Sequence, residues 1–176
     1  MSTISRVRTP RSLSFDPVDA ARTVWKTKGW ARAASGMATI TSIMRAHQLF
    51  LGQANEVLRP FGLTFARYEV LAWLAWNADC GSLTLSQIGE RLQVTPATVT
   101  NAIDRLEADG LVRRVPHPSD LRTTLAEITT LGRKTVESAT AELNARVFEA
   151  VGLSPSEMDA LIRLLLKIRV DAGDFS

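Results

Sequence analysis

The sequence predicts a mainly α-helical protein with one small β-hairpin, and three observations predict it. Apolar residues recur at helical spacing over most of the chain. Two short helical runs, one ending at Leu92 and the next capped by Thr95, are separated only by Gln93 and Val94. A strand, a polar turn and a second strand then occupy Leu111 to Ile128. Two helices on a tight turn followed by a hairpin make a winged helix-turn-helix domain. The fold class is therefore mainly α with a small β-hairpin wing, and the helices on either side of the domain are expected to be N- and C-terminal dimerisation helices.

Composition bounds this reading. With 45% hydrophobic residues in 176, the chain is long enough for one domain with a real core, and its net charge of +3 is compatible with a nucleic-acid partner without proving one. No apolar run approaches the ~18 residues of a membrane helix, and the first residues lack the apolar centre of a secretion signal. A cytoplasmic protein with no membrane partner is expected. The one cysteine, Cys80, permits no intramolecular disulfide and no cysteine-rich zinc site, so neither a metal nor a cofactor is expected.

Residues 1–15 carry Arg6, Arg8 and Arg11 among serines and threonines with no acidic residue, the composition of a flexible basic tail or of an arm reaching along DNA. Residues 16–35 form a helical extension opened by Asp16-Pro17, with Val18, Ala21 and Trp25 on one side. Residues 36–62 hold a long dimerisation helix from Gly36 to Arg59, whose stripe is Ile40, Ile43, Met44, His47, Leu51, Ala54 and Leu58. Pro60-Phe61-Gly62 ends it.

Residues 63–130 are the expected DNA-binding domain. A helix from Thr64 to Asn77 directs Tyr68, Leu71, Ala72 and Ala75 to the core, with Trp73 and Trp76 beside them. A loop at 79–82 leads to the first helix of the pair, where Leu85, Ile88, Gly89 and Leu92 share a face and Thr84 with Gln87 makes a capping box. In the second helix Val99, Ala102, Ile103 and Leu106 are the buried face, Thr95 is the cap and Pro96 the first residue. The opposite face is Ala97, Asn101, Asp104 and Ala108, flanked by Thr98, Thr100 and Arg105. It is small and polar, as a major-groove reader must be: asparagine bonds adenine through two groups, and threonine and alanine touch thymine methyls. Asp104 opposes phosphate, so contact should fade beyond Asn101 or Asp104 should pair with an arginine. Arg113, Arg114 and Arg122 make the flank of the hairpin basic, and Pro116 to Ser119 brace its tip.

Residues 131–176 are the expected C-terminal dimerisation helices. One, capped by Thr129, runs through Val136, Leu143, Val147 and Val151 to Gly152. The last opens with the capping box Ser154-Pro155-Ser156-Glu157 and is apolar almost all round at Met158, Leu161, Ile162, Leu164, Leu165, Leu166 and Ile168, so a second subunit should cover it.

The run from Ile103 to Arg114, with Leu106 and Gly110-Leu111-Val112-Arg113-Arg114, then Asp120 and Arg122, then Ile128-Thr129 and Gly132, resembles the signature of the MarR family of bacterial transcription regulators. The likeness in layout extends from about Gly36 to Gly173. It departs from the common pattern at Leu121, where a second basic residue is frequent, and at Asn101, where arginine is frequent. The resemblance implies a homodimer, a wing arginine at Arg122 that enters the minor groove, and an aspartate at Asp120 that holds the wing in shape. The candidate DNA-binding set is thus Thr95, Pro96, Ala97, Thr98, Thr100, Asn101 and Arg105 with Arg113, Arg114, His117, Ser119, Asp120 and Arg122.

The resemblance also implies a small-molecule effector, aromatic or anionic. Arg45, His47, Arg67, Tyr68 and Trp73 are the candidate ligand-binding residues, mixing apolar walls with cationic donors. The plainer reading of His47 is a hydrogen-bonded core histidine, that of His117 a solvent-exposed tip, and that of Cys80 a passive loop thiol beside Asp79 rather than an oxidant sensor. Two histidines, one cysteine and no glycine-rich phosphate loop suggest no catalytic set, so no enzyme is expected. The expected function is a sequence-specific, ligand-responsive repressor acting as a homodimer on a near-palindromic double-stranded operator. The alternative, a winged-helix module that binds only protein, requires apolar residues where the hairpin carries arginines.

Overall fold

The computed structural model describes residues 12–76, 81–120 and 122–175. The expectations placed on Arg6, Arg8, Arg11, Cys80 and Leu121 lie outside these residues. Seven α-helices and a small sheet are present among the described residues: α1 (Pro17–Thr27), α2 (Ala31–Leu58), α3 (Phe65–Trp76), β1 (Ser82–Thr84), α4 (Leu85–Leu92), α5 (Pro96–Ala108), β2 (Val112–Pro116), β3 (Thr124–Ile128), α6 (Thr130–Leu143) and α7 (Pro155–Asp171).

Helix α1 opens where Asp16 accepts from the Val18 N–H at 2.8 Å, and it folds back on α2 through Gly29 at φ +86°, a left-handed turn that glycine adopts freely. Trp25 and Trp30 meet edge to face across that turn, 5.4 Å between centroids. The long helix starts at Ala31, not at Gly36. The run Ala31-Arg32-Ala33-Ala34 has high helix propensity and Ala34 is fully buried, so a glycine inside the helix is outweighed. The last residues of the expected extension therefore belong to α2.

The C-terminal end of α2 enters the core through Ala54, Val57 and Leu58, where it meets Leu71 and Leu74 of α3 and Val136, Ala139 and Leu143 of α6. The Asn55 side chain accepts from the Phe65 N–H at 2.8 Å and fixes the corner between α2 and α3. The N-terminal half of α2 is another matter, with Ile40 58% and Met44 63% exposed.

The sheet has three strands in the order β1-β3-β2, all antiparallel. The expected hairpin is β2 and β3, while β1, expected as loop and helix cap, is the strand the sequence concealed. It has only three residues, too few for an alternation of apolar and polar positions to register. Its pairing puts β3 in the centre, with Ala126 and Ile128 buried.

Both caps expected around the turn are made. Thr84 and Gln87 exchange bonds of 3.1 and 3.0 Å, and Thr95 accepts from the Thr98 N–H at 3.3 Å. Between the helices Gln93 takes φ +52°, and Gly89 lies so near Val94 and Val99 that a Cβ there would stand 3.4 Å from each.

Helix α6 was expected to continue to Val151, but its regular turns stop at Leu143 and a wider π turn follows at Asn144–Phe148, carrying Val147 into the core. Helix α7 is capped as expected, Glu157 accepting from the Ser154 N–H at 2.8 Å. No residue of α7 is buried, and Ile162 and Leu164 are 62% and 63% exposed. The chain then turns at Gly173, Arg169 grips the Asp174 carboxylate at 2.6 Å, and the Gln93 side chain donates to the Asp174 carbonyl at 2.8 Å. The end of α7 is thereby tied to the turn between α4 and α5.

Candidate nucleic-acid interface

Helix α5 buries Val99, Ile103 and Leu106 and leaves Thr95, Pro96, Ala97, Thr98, Thr100, Asn101, Asp104 and Arg105 exposed, the division that its periodicity predicts. Not all of that face is equally available for hydrogen bonding. Thr100 donates to the Pro96 carbonyl at 3.0 Å, and Thr95 and Thr98 share a hydroxyl contact of 3.0 Å. Asn101 makes no side-chain hydrogen bond among the described residues, so both edges of its amide are open.

The wing corrects one expectation. Arg113 and Arg114 do not form a free basic flank: Arg113 pairs with Glu127 at 2.7 Å, and Arg114 bridges Asp104 at 2.5 Å and Glu107. The reason is geometric. Arg113 and Glu127 are register partners across the β2-β3 pair, while Asp104 and Glu107 sit one turn apart on α5, facing β2. The Arg114 N–H also donates to Glu107 at 3.0 Å. The side-chain hydrogen bond with Asp104 is the chief cause holding the Arg114 guanidinium above its ordinary pKa, against a smaller opposing effect of burial. Asp104 is thus paired with an arginine, one of the two outcomes expected for it.

Arg122 remains exposed and makes no ion pair among the described residues. Its backbone N–H donates to Asp120 at 3.0 Å, and the Thr123 hydroxyl donates to the other carboxylate oxygen at 2.7 Å. These bonds, that from Thr123 first, hold the Asp120 carboxyl below the usual aspartate range. His117 is not simply solvated: its Nδ1 accepts from the Ser119 backbone N–H at 3.3 Å and lies 3.2 Å from the Ser119 hydroxyl, and the His117 backbone N–H donates to the Thr123 carbonyl at 3.1 Å. Both residues fold the tip that presents Arg122. Thr123 was missed, although a hydroxyl three residues after an aspartate is a familiar turn signal.

The five candidate ligand residues do not converge. Arg45 bonds Gln48 at 3.3 Å, Arg67 bonds Asp109 at 3.3 Å, the Tyr68 hydroxyl meets Thr140 at 3.1 Å, and Trp73 lies under the Arg91 guanidinium at 5.7 Å. Only His47 lines the cavity of about 350 Å³ between α2, the start of α3 and the π turn, with Phe50, Leu51, Phe65, Val147 and Phe148. Its lining holds no lysine or arginine. The aromatic residues were missed because Phe50 and Phe65 lie on separate elements, and Phe148 is turned by the π segment, which no periodicity announces.

Among the described residues no group of three His, Cys, Asp or Glu side chains is placed to hold a metal, and no helix is long and apolar enough to cross a membrane.

The architecture matches known proteins. The crystal structure of a MarR family transcriptional regulator from Streptomyces coelicolor is 47% identical, with a TM-score of 0.73 over 81% of this chain and 98% of that one. The chain belongs to the MarR family. The MarR family profile itself matches residues 61–123, the segment running from Phe61, just before α3, through α5 and β2 to the residue before β3. A mutant MarR from Escherichia coli, solved in complex with operator DNA, is 28% identical with a TM-score of 0.67, covering 73% of this chain and 91% of that one. By sequence, the transcriptional repressor IacR of Pseudomonas putida is 30% identical across 70% of this chain and 72% of its own length. As a MarR family member the chain falls among transcriptional regulators, and the segment that the profile covers holds α5 and β2 but stops before β3.

Proposed function

We propose that this MarR family chain is a sequence-specific DNA-binding transcriptional regulator, a repressor that leaves its operator when a small molecule binds. It acts in the cytoplasm as a homodimer, without catalytic activity. The observation that carries the reading is the exposed small-polar face of α5, with Asn101 uncommitted, beside a wing that presents Arg122 on a tip braced by Asp120. The likeness to a MarR protein held on operator DNA supports it.

In this reading α5 enters the major groove by its first two turns and Arg122 reaches the adjoining minor groove, where a narrow groove favours arginine. Helices α2 and α7 join two subunits and hold two copies of α5 about 34–36 Å apart, one DNA turn. The effector occupies the cavity beside His47. Its phenylalanine walls suit an aromatic body, with His47 as the polar group on the lining. An effector that wedges α2 from α6 changes the spacing and lowers DNA affinity by linkage.

A salt titration on operator and scrambled DNA tests the interface. Arg122→Ala should weaken binding to both and reduce the salt slope by about one, with Asp120→Ala imitating it. Asn101→Ala should cost about 1–3 kcal/mol at particular base pairs and leave the slope intact. Parental affinity and slope in Arg122→Ala would remove the wing from the interface and favour a protein-binding module.

A further inference from the structure

Glu69 of α3 is half-buried where α3 meets α4 and α5, on a gap of about 30 Å³. Alanines, valines and Leu92 make up most of the lining, and Thr98 of α5 is the one other polar side chain on it among the described residues. Glu69 takes part in no ion pair or side-chain hydrogen bond among the described residues, and burial raises its carboxyl above the ordinary glutamate range. A gap of this size has room for one water, and Glu69 and Thr98 line it from opposite helices. The Thr98 hydroxyl is in turn 3.0 Å from that of Thr95, whose oxygen already accepts the Thr98 N–H at 3.3 Å.

We propose that Glu69 is a positioning residue for operator binding: through one water in the gap it sets the direction of the Thr98 and Thr95 hydroxyls, and so ties DNA affinity to its own protonation. The inference rests on the DNA-binding reading given above. An ionised carboxylate only accepts, so the water donates to it, Thr98 donates to the water and Thr95 donates to Thr98. Both hydroxyl hydrogens then point away from DNA. Protonated Glu69 donates to the water and the chain reverses: the water donates to Thr98, and Thr98 to Thr95. The Thr95 hydrogen is left free to turn outward to a phosphate, which accepts and never donates. Other charged groups on these helices are engaged elsewhere or exposed. On α3 Arg67 pairs with Asp109, on α4 Glu90 receives the Ser86 hydroxyl and Arg91 lies over Trp73, and on α5 Asp104 pairs with Arg114. Arg105 of α5 is exposed and makes no ion pair among the described residues.

Operator titrations at low salt across the mildly acidic range test this on the parent, Glu69→Gln, Thr98→Val and Thr98→Ser, with far-UV circular dichroism to confirm equal helix content. Binding favours the protonated carboxyl, so affinity is highest in acid and falls as pH rises through the Glu69 titration. The parent should lose on the order of tenfold, the weight of one hydrogen bond to phosphate. Glu69→Gln, whose amide can donate at every pH, should keep the acid-side affinity throughout. Thr98→Val should lose the step, and Thr98→Ser, which retains the hydroxyl, should keep it. Both histidines are present in all four chains, so any titration of theirs cancels in the comparison. An equal step in Glu69→Gln, or no step in the parent, would overturn the proposal. A step lost in Glu69→Gln but kept in Thr98→Val would overturn it too, since the carboxylate would then act by repulsion through space. A parent that binds DNA at no pH would overturn the DNA-binding reading itself.

Discussion

Arg114 stands at the junction of α5 and the wing and holds two carboxylates, Asp104 and Glu107, that would otherwise face a polyanion uncompensated. These groups are partly solvated, so the ion pairs should add only about 1 kcal/mol to folding stability. Their effect on DNA should be larger. Arg114→Ala is expected to lower operator affinity by more than its modest loss of stability suggests, since Asp104 then repels phosphate; Asp104→Asn in the same chain should restore much of it. Urea denaturation and DNA titration on the single and double variants measure both quantities. Equal losses in the single and double variants would rule out charge masking by Arg114. At this scale the sequence identified the polar residues of α5 and named an arginine partner as one of two outcomes for Asp104. It did not reveal that Arg113 and Arg114 are paired, because the run of two arginines reads as positive charge until strand register places Glu127 beside one and helix packing places two acids beside the other.

Among the elements, those defined by local signals were legible. Caps at Thr84, Thr95, Thr129 and Ser154 mark helix starts, and each is a contact within three residues along the chain. What depends on distant neighbours was not. Strand β1 exists because β3 offers it an edge, and the π turn after α6 has no sequence period of its own. Gly132 joins the two kinds of information. It lies in the first turn of α6, where a Cβ would stand 2.1 Å from the Leu111 carbonyl oxygen and 2.9 Å from Ile128. That carbonyl cannot easily withdraw, since it accepts from the Thr129 N–H at 3.0 Å. Gly132→Ala is therefore expected to destabilise the fold by about 1–3 kcal/mol or more, in spite of alanine's better helix propensity. Chemical denaturation decides it. A neutral or stabilising result would mean that α6 can slide off the wing at no cost.

In the whole molecule the core is contributed mainly by the reader and by the ends of α2 and α6 that enter it, whereas α7 and the first half of α2 leave apolar side chains in water. The sequence announced this imbalance through the nearly continuous apolar surface of α7, which has no neighbour in its own chain large enough to cover it. It could not announce where α7 ends. The Gln93 side chain holds the Asp174 carbonyl, so the helix offered to a second copy finishes on the turn that aims α5. Under the proposed function, self-association and operator recognition share a mechanical part, and the two equilibria form a closed thermodynamic square. Whatever factor dimer formation adds to operator affinity, operator must add to dimer affinity. Operator titrations at several protein concentrations, with the parent and with Gln93→Ala, should give a smaller common factor in the variant, on the order of a few-fold, the weight of one hydrogen bond. An unchanged factor would mean that the tether transmits nothing. A change carries a cellular consequence: dilution of the protein, as when a cell doubles its volume, would loosen repression more steeply than simple occupancy of a site allows.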